Sequence, residues 1–270
     1  MSELAGKRVL LINDDGIEAP GIRLLESLVR EHTDDVWVIA PDEERSGASH
    51  SLSITSPVRV RRIDERRYAI KGTPTDCALL AVHELLTDRK PDVLLSGINR
   101  GANLAEDLTY SGTAAAAMEG TMLGIRSIAM SQVMALDKQP YWETARRYTM
   151  PVLDYILGCE WDYGAFVNVN FPDNPPDEVT GYRVTIQGQR PPGAFLPERR
   201  IDGRGVPYYW IVLDYPEGNA LPDTDLEAIA NGSVSITPLH LDFTAHSFRR
   251  HLLMRMREHP LPDPGKASHT

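Results

Sequence analysis

The run Val9-Leu10-Leu11-Ile12 stops abruptly on Asn13-Asp14-Asp15-Gly16, and no other stretch constrains the fold as strongly. Four apolar, mostly branched residues in succession describe a strand buried on both faces, as in the interior of a parallel sheet. The two carboxylates that follow repel each other, and where solvent is limited that repulsion raises one pKa. A bound cation would relieve it and give both carboxylates a role. A solvated strand-to-helix turn is the alternative, because Asp and Gly are ordinary turn residues.

The elements that follow alternate. Pro20 to Val29 places apolar residues at helical spacing, and Val36-Trp37-Val38-Ile39-Ala40 is a second buried strand cut by Pro41. Its exit loop runs from Pro41 to Ser49 and is polar and rich in small residues, as a merely solvated loop would also be. Short strands are expected at Val58 to Ile63 and Tyr68 to Ile70, their arginines forming a solvated edge. Thr75 or Asp76 is expected to cap a helix from Cys77 to Leu86.

Val93-Leu94-Leu95 is a third buried strand, ending in the loop Ser96-Gly97-Ile98-Asn99-Arg100-Gly101-Ala102-Asn103. Tyr110-Ser111-Gly112-Thr113 then precedes an alanine run, a helix N-cap signal that also points free N–H groups outward, as a phosphate site requires. Gly124 closes that helix, and Ile128-Ala129-Met130 is a fourth strand. Strand and helix thus alternate over residues 8 to 131, which predicts an open, doubly wound, mainly parallel sheet of Rossmann-like α/β type. Ligands of such sheets bind outside the carboxyl ends of the strands. Asp14 and Asp15 follow the first strand, Ser46 the second and Asn99 the third, so three polar loops leave from one edge. That convergence favours a metal site over a plain turn.

Downstream, a helix is expected over residues 141 to 158, with Trp142, Ala145, Tyr148, Val152, Leu153 and Ile156 on its apolar face. Phe166 to Phe171 alternates as a strand. Tyr182 to Gln187 and Tyr208 to Leu213 are extended and predict a long projecting hairpin. A short helix from Asp225 to Ala230, a strand from Ser233 to Thr237 and a final helix from Thr244 to Glu258 complete the pattern, and the tail from Pro260 is expected to fray. The organisation expected is therefore an α/β core over residues 1–180 and a C-terminal extension of hairpin, strand and helix over 181–270.

A formal net charge of −10 argues against binding duplex nucleic acid. Cys77 and Cys159, the two cysteines, are too few for a disulfide framework and suit a reducing compartment. The first strand begins within ten residues of Met1, leaving no room for a signal peptide. No apolar run approaches the roughly 20 residues that span a bilayer. A cytoplasmic protein without membrane contact is expected.

In order along the chain stand Asn13-Asp14-Asp15-Gly16, Ala40-Pro41-Asp42 with Ser46-Gly47, Gly72-Thr73-Pro74-Thr75-Asp76-Cys77, Ser96-Gly97-Ile98-Asn99-Arg100-Gly101, Ser111-Gly112-Thr113 and Ser235-Ile236-Thr237-Pro238-Leu239. This ordered set resembles the SurE family of metal-dependent 5′/3′-nucleotidases. The resemblance implies metal ligation by Asp14, Asp15, Ser46 and Asn99, of which Asp14, Asp15 and Asn99 also serve the chemistry. Four oxygen donors suit one hard divalent ion per subunit, Mg²⁺ or Mn²⁺. It further implies that Asn103, Ser111, Gly112 and Thr113 hold the phosphate of a nucleoside monophosphate, and that the chain forms a homodimer or homotetramer with exchanged C-terminal segments. A broad acid phosphatase or exopolyphosphatase, and a nucleotide-binding module without turnover, are the competing readings. A nicotinamide-binding dehydrogenase would place G-x-G-x-x-G where Asn13-Asp14-Asp15-Gly16 stands.

Overall fold

A computed structural model describes residues 2–135, 139–193, 195–213, 220–259 and 261. The chain up to Phe171 builds a sheet from β1 (Val9–Ile12), β2 (Val36–Pro41), β3 (Arg59–Arg62), β4 (Arg67–Lys71), β5 (Val93–Arg100), β6 (Arg126–Gln132) and β7 (Ala165–Phe171). Between them run the helices α1 (Pro20–Arg30), α2 (Pro74–Leu80), α3 (Gly112–Met122) and α4 (Trp142–Leu157). With β8 (Gly181–Val184) and β11 (Ser233–His240) the sheet has nine strands in the order β3-β4-β2-β1-β5-β6-β7-β11-β8. β1 pairs in parallel with β2 on one side and β5 on the other, and β2 with β4 and β5 with β6 are parallel too. The chain leaves β1 in one direction and returns on its other side at β5. This is the reversal of strand order beside which α/β sheets bind ligands.

The alternation inside β1 explains the layering. Val9 and Leu11 enter a core with Ile22, Leu25 and Val29 of α1 and Val152 and Leu153 of α4. Leu10 and Ile12 enter the opposite core with Cys77 and Ala78 of α2 and Ala116 of α3. All four β1 side chains are fully buried, so truncating any of them to Ala would cost about 2–5 kcal/mol. The Arg-rich strand β3 is exposed along its length and lies at the sheet edge, antiparallel to β4, as its charge pattern predicts.

Four local expectations are corrected. The cap of α2 is Thr73, whose hydroxyl accepts from the Asp76 amide at 3.1 Å, while Asp76 closes the capping box by accepting from the Thr73 amide at 2.8 Å. That helix starts at Pro74 and passes into a π-helical turn over Ala81–Leu85. β5 continues through the expected loop as far as Arg100, with a register shift against β6 between Ser96 and Asn99. Gly97 makes the shift passable: its φ is +133° and a Cβ would lie 2.3 Å from the Met130 carbonyl oxygen.

The fourth correction concerns the hairpin. Its arms are β9 (Phe195–Ile201) and β10 (Pro207–Leu213), paired from Ile201–Pro207 to Phe195–Leu213. The segment at Tyr182 instead forms β8, parallel to β11. Asp202 sets the turn locally, its backbone accepting from Gly205 and its carboxylate from the Arg204 and Val206 amides. A strand seven residues long inside the presumed loop therefore outcompeted the distant partner.

The helix α5 (Asp225–Ala230) matches its expected span. Met1–Leu239 forms one compact unit and His240–Thr270 a second, which contains α6 (His246–Glu258). Of the expected frayed tail, residues 260 and 262–270 lie outside the described residues.

Candidate metal and phosphate site

The junction after β1 is laced to the loop after β2. Asn13 turns its amide inward to donate to the Gly16 carbonyl at 2.8 Å, the Arg45 amide donates to the Asp14 carbonyl at 2.7 Å, and the Ile17 amide to Pro41 at 2.8 Å. These bonds carry Ser46 to the rim beside Asp14. Asp14, Ser46, Asn99, Asn103 and Ser111 line one cavity of about 530 Å³ at the carboxyl ends of β1, β2 and β5. Asp15 is half-buried next to Asp14 and accepts from the Arg100 amide at 3.0 Å. The rim convergence expected from the sequence is the geometry observed.

Asp14 is buried and held from one side by the start of α3. The Thr113 hydroxyl donates to Asp14 Oδ1 at 2.6 Å, and the Gly112 and Thr113 amides bear on the same carboxylate. Gly112 must lack a side chain, since a Cβ would sit 2.8 Å from Asp14 Cβ and 3.0 Å from Oδ2. Burial nevertheless pushes the Asp14 pKa above the ordinary carboxylate value, against these donors. Asp15 is pushed up to about 7, first by burial and then by the neighbouring Asp14 charge. Two adjacent carboxylates that the protein leaves short of positive charge are what a divalent cation would satisfy.

The remaining donors fit a hard ion. Asn99 Nδ2 donates to the Gly101 carbonyl at 3.0 Å, leaving Oδ1 as the atom that could hold a cation. Ser46 Oγ donates to Glu44 Oε1 at 2.8 Å and keeps lone pairs for a cation. Among the described residues no three His, Cys, Asp or Glu side chains come together as a metal-holding group; Asp14, Asp15, Ser46 and Asn99 together offer two carboxylates plus hydroxyl and amide oxygens. That chemistry suits Mg²⁺ or Mn²⁺.

The residues expected at the phosphate divide into two kinds. Ser111 caps α3, its Oγ accepting from the Ala114 amide at 2.9 Å, and its hydroxyl proton stays free to face an anion in the cavity. Gly112 and Thr113 meet Asp14, the Thr113 hydroxyl and both amides holding that carboxylate. Asn103 is clamped by residues that sequence reasoning passed over. Its carbonyl accepts from Asn168 Nδ2 at 2.8 Å and Asn170 Nδ2 at 3.0 Å, and its amide donates to Asn170 Oδ1 at 2.9 Å. The signal was present, because Asn168 and Asn170 put two amides on one face of a buried strand. Asn103 Nδ2 donates to Ser131 Oγ at 2.9 Å, and a half-turn of the amide would exchange the roles, since Ser131 can donate as well as accept. Also unforeseen are Tyr110, Met134 and Ala135, which give the same cavity an apolar wall. His50 contacts Glu119 at 2.9 Å and does not line the cavity.

The segment that carries Tyr110 and Ser111 is braced from the second half of the chain. Arg190 forms a two-pronged pair with Asp107, at 3.0 and 3.1 Å, and donates to the Leu104 carbonyl at 3.0 Å. Asp225 accepts from the Ala105 and Gly188 amides at 2.9 and 2.8 Å.

Comparison with known proteins identifies the family of the chain. The family model described as Survival protein SurE matches residues 9–193. A 5′-nucleotidase SurE of Parvibaculum lavamentivorans is 48% identical over 239 residues, 88% of this chain and 86% of that protein. A 5′-nucleotidase SurE of a Chelativorans species is 50% identical over 248 residues, 91% of this chain and 98% of that protein. The crystal structure of the SurE protein from Aquifex aeolicus superposes with a TM-score of 0.78 at 39% identity, covering 93% of this chain and 99% of its own.

Proposed function

The chain belongs to the SurE family, and from that membership we infer that it is a 5′-nucleotidase, hydrolysing nucleoside monophosphates to nucleoside and phosphate. The observation that carries the chemistry is the single cavity lined by Asp14, Ser46, Asn99, Asn103 and Ser111. We assign a divalent ion, Mg²⁺ or Mn²⁺, to Asp14, Asp15, Ser46 and Asn99. When bound, such an ion supplies charge neutralisation and polarisation of the phosphoryl group.

The protein's own groups do the rest. Thr113 and the first amides of α3 fix Asp14, so that its carboxylate is preorganised rather than reoriented at each turnover. The Ser111 hydroxyl and the second N–H of the Asn103 side-chain amide receive phosphoryl oxygens. A carboxylate of the Asp14–Asp15 pair orients the attacking water. Tyr110, Met134 and Ala135 offer the nucleoside an apolar wall beside this polar end.

Self-association is the finer proposal about partners. A two-stranded hairpin is marginal alone, yet β9–β10 exposes Leu196, Ile201, Tyr209, Trp210 and Ile211. A second copy of the chain would cover it, with the segment from His240 available for exchange. Cys77 and Cys159 are both free thiols, in keeping with a cytoplasmic location. No described helix is long and apolar enough to cross a membrane.

The test is a panel of 5′- and 3′-monophosphates, tripolyphosphate and a chromogenic ester, assayed with each metal. Metal-dependent phosphate release from AMP or GMP is the expected result. Binding of these nucleotides without turnover would replace the enzyme with a nucleotide-sensing module.

A further inference from the structure

A second cleft lies on the same carboxyl rim and has no part in the chemistry above. It measures about 370 Å³ and is lined by Arg45, Ser53, Ser56, Arg59, Lys71 and Thr73 among others, none of them a carboxylate. Lys71 ends β4 and Arg59 opens the antiparallel β3, so both stand at the edge of the sheet where Asp14 follows β1. Arg45 forms the near wall, one residue from Ser46.

The charges here are unusual in their pairing. Arg59 and Lys71 are direct partners across the β3–β4 ladder. Like charges placed directly opposite each other destabilise a sheet. Neither side chain has a hydrogen-bond or ion-pair partner among the described residues, although the chain has 38 acidic residues against 28 basic ones. Protection of a sheet edge accounts for Arg59 on the outer strand β3, but not for Lys71, because β4 is flanked on both sides. The nearby carboxylates are committed to the cleft wall itself and not to Arg59 or Lys71: Asp76 accepts from the Ser53 and Thr73 amides at 3.1 and 2.8 Å, and Glu43 pairs with Arg45 at 2.8 Å.

We propose that this cleft is an oxyanion site that binds a phosphate group between Arg59 and Lys71. The guanidinium meets two oxygens in a fork, the ammonium supplies a compact charge, and the Ser53 and Ser56 hydroxyls are within the same cleft to complete the shell. The volume, equal to the share of roughly a dozen waters, accepts phosphate either free or carried on a larger ligand. The site is separate from the cavity of Asp14, so its occupancy does not depend on the nucleotidase reading.

Isothermal titration of the parent and of the Arg59→Gln/Lys71→Gln double variant, with Mg²⁺ present, tests this. The titrants are inorganic phosphate and, separately, a non-hydrolysable phosphonate analogue of AMP. The parent is expected to bind two equivalents of phosphate and the double variant one. The affinity of the lost site should fall by at least about tenfold, as for losing one charge-assisted contact, while kcat/KM for AMP is unchanged. Two equivalents of the analogue would identify nucleotide-borne phosphate as an occupant, and one equivalent would restrict the cleft to free phosphate. Equal numbers of phosphate equivalents bound by the parent and the double variant overturn the proposal. AMP hydrolysis, measured alongside, reports on the catalytic reading independently.

Discussion

The Thr113 hydroxyl donates to Asp14 Oδ1 at 2.6 Å, joining residues 99 positions apart. This bond connects the first turn of α3 to the carboxylate at the end of β1, and it is buried. Thr113 is therefore expected to position Asp14 and not to contact the phosphate directly. Thr113→Val, which keeps the shape and removes the donor, should lower kcat/KM for AMP by about 10–100-fold, the usual cost of losing a group that orients a metal ligand. Thr113→Ser should recover most of the loss. Steady-state kinetics together with a divalent-ion titration separates this from a role at the phosphate, where metal affinity would not move.

Gly112 is the companion test. A Cβ there would press on Asp14 Cβ at 2.8 Å, with the α3 backbone behind it and Pro74 Cγ at 3.1 Å. Gly112→Ala should therefore displace the carboxylate and cost about 1–3 kcal/mol, as overpacking does. Thermal unfolding and AMP turnover on the same sample should both fall.

Asp15 predicts a pH effect on stability in chelator-treated protein. Its folded pKa of about 7 lies above the ordinary carboxylate value, so the folded state holds a proton that the unfolded state has released. The stability from that proton is fully present below the unfolded pKa, wanes as pH rises, and is gone above about 7. Asp15→Asn cannot lose it. The variant should gain in Tm relative to the parent as pH rises from 5 to 8, and a constant offset across that range would refute the assignment. Adding Mg²⁺ or Mn²⁺ at pH 8 should restore the parent far more than the variant.

Arg190 predicts coupling between the second half of the chain and the cavity. Its side chain and that of Asp107 are 10% and 8% exposed. Removing one partner of a buried pair typically costs about 3–5 kcal/mol. Arg190→Met should lower Tm and also raise KM for AMP, since the segment leading to Tyr110 and Ser111 loses its brace. An unchanged KM would confine Arg190 to stability.

How far the sequence disclosed this arrangement depended on whether the signal was local. β1, α1 and β2 were legible because continuous branched runs and helical spacing act over a few residues. The common rim of Asp14, Ser46 and Asn99 was legible because alternation of strand and helix dictates which edge each loop leaves from. The use of Thr113 was not, for a hydroxyl at a helix start serves a cap, a phosphate or a distant carboxylate with the same letters. Ser111 took the capping role, which freed Thr113. The hairpin was mispaired because Phe195–Ile201 contains a proline and three charged residues, so it read as loop until its β10 partner stood beside it. Arg190 and Asn170 left only polar residues in unremarkable places, and long-range pairing alone gave them their roles.

The central claim is that Asp14 and Asp15 hold a divalent ion on which turnover depends. Mn²⁺ titrated into metal-stripped parent and Asp14→Asn protein, with phosphate release from AMP followed in the same cuvette, tests it most directly. One equivalent bound by the parent with activity rising in step, and weak binding with little turnover in a folded Asp14→Asn variant, is the predicted result. Full AMP hydrolysis by the stripped parent, or by Asp14→Asn at the parent's rate, would contradict it.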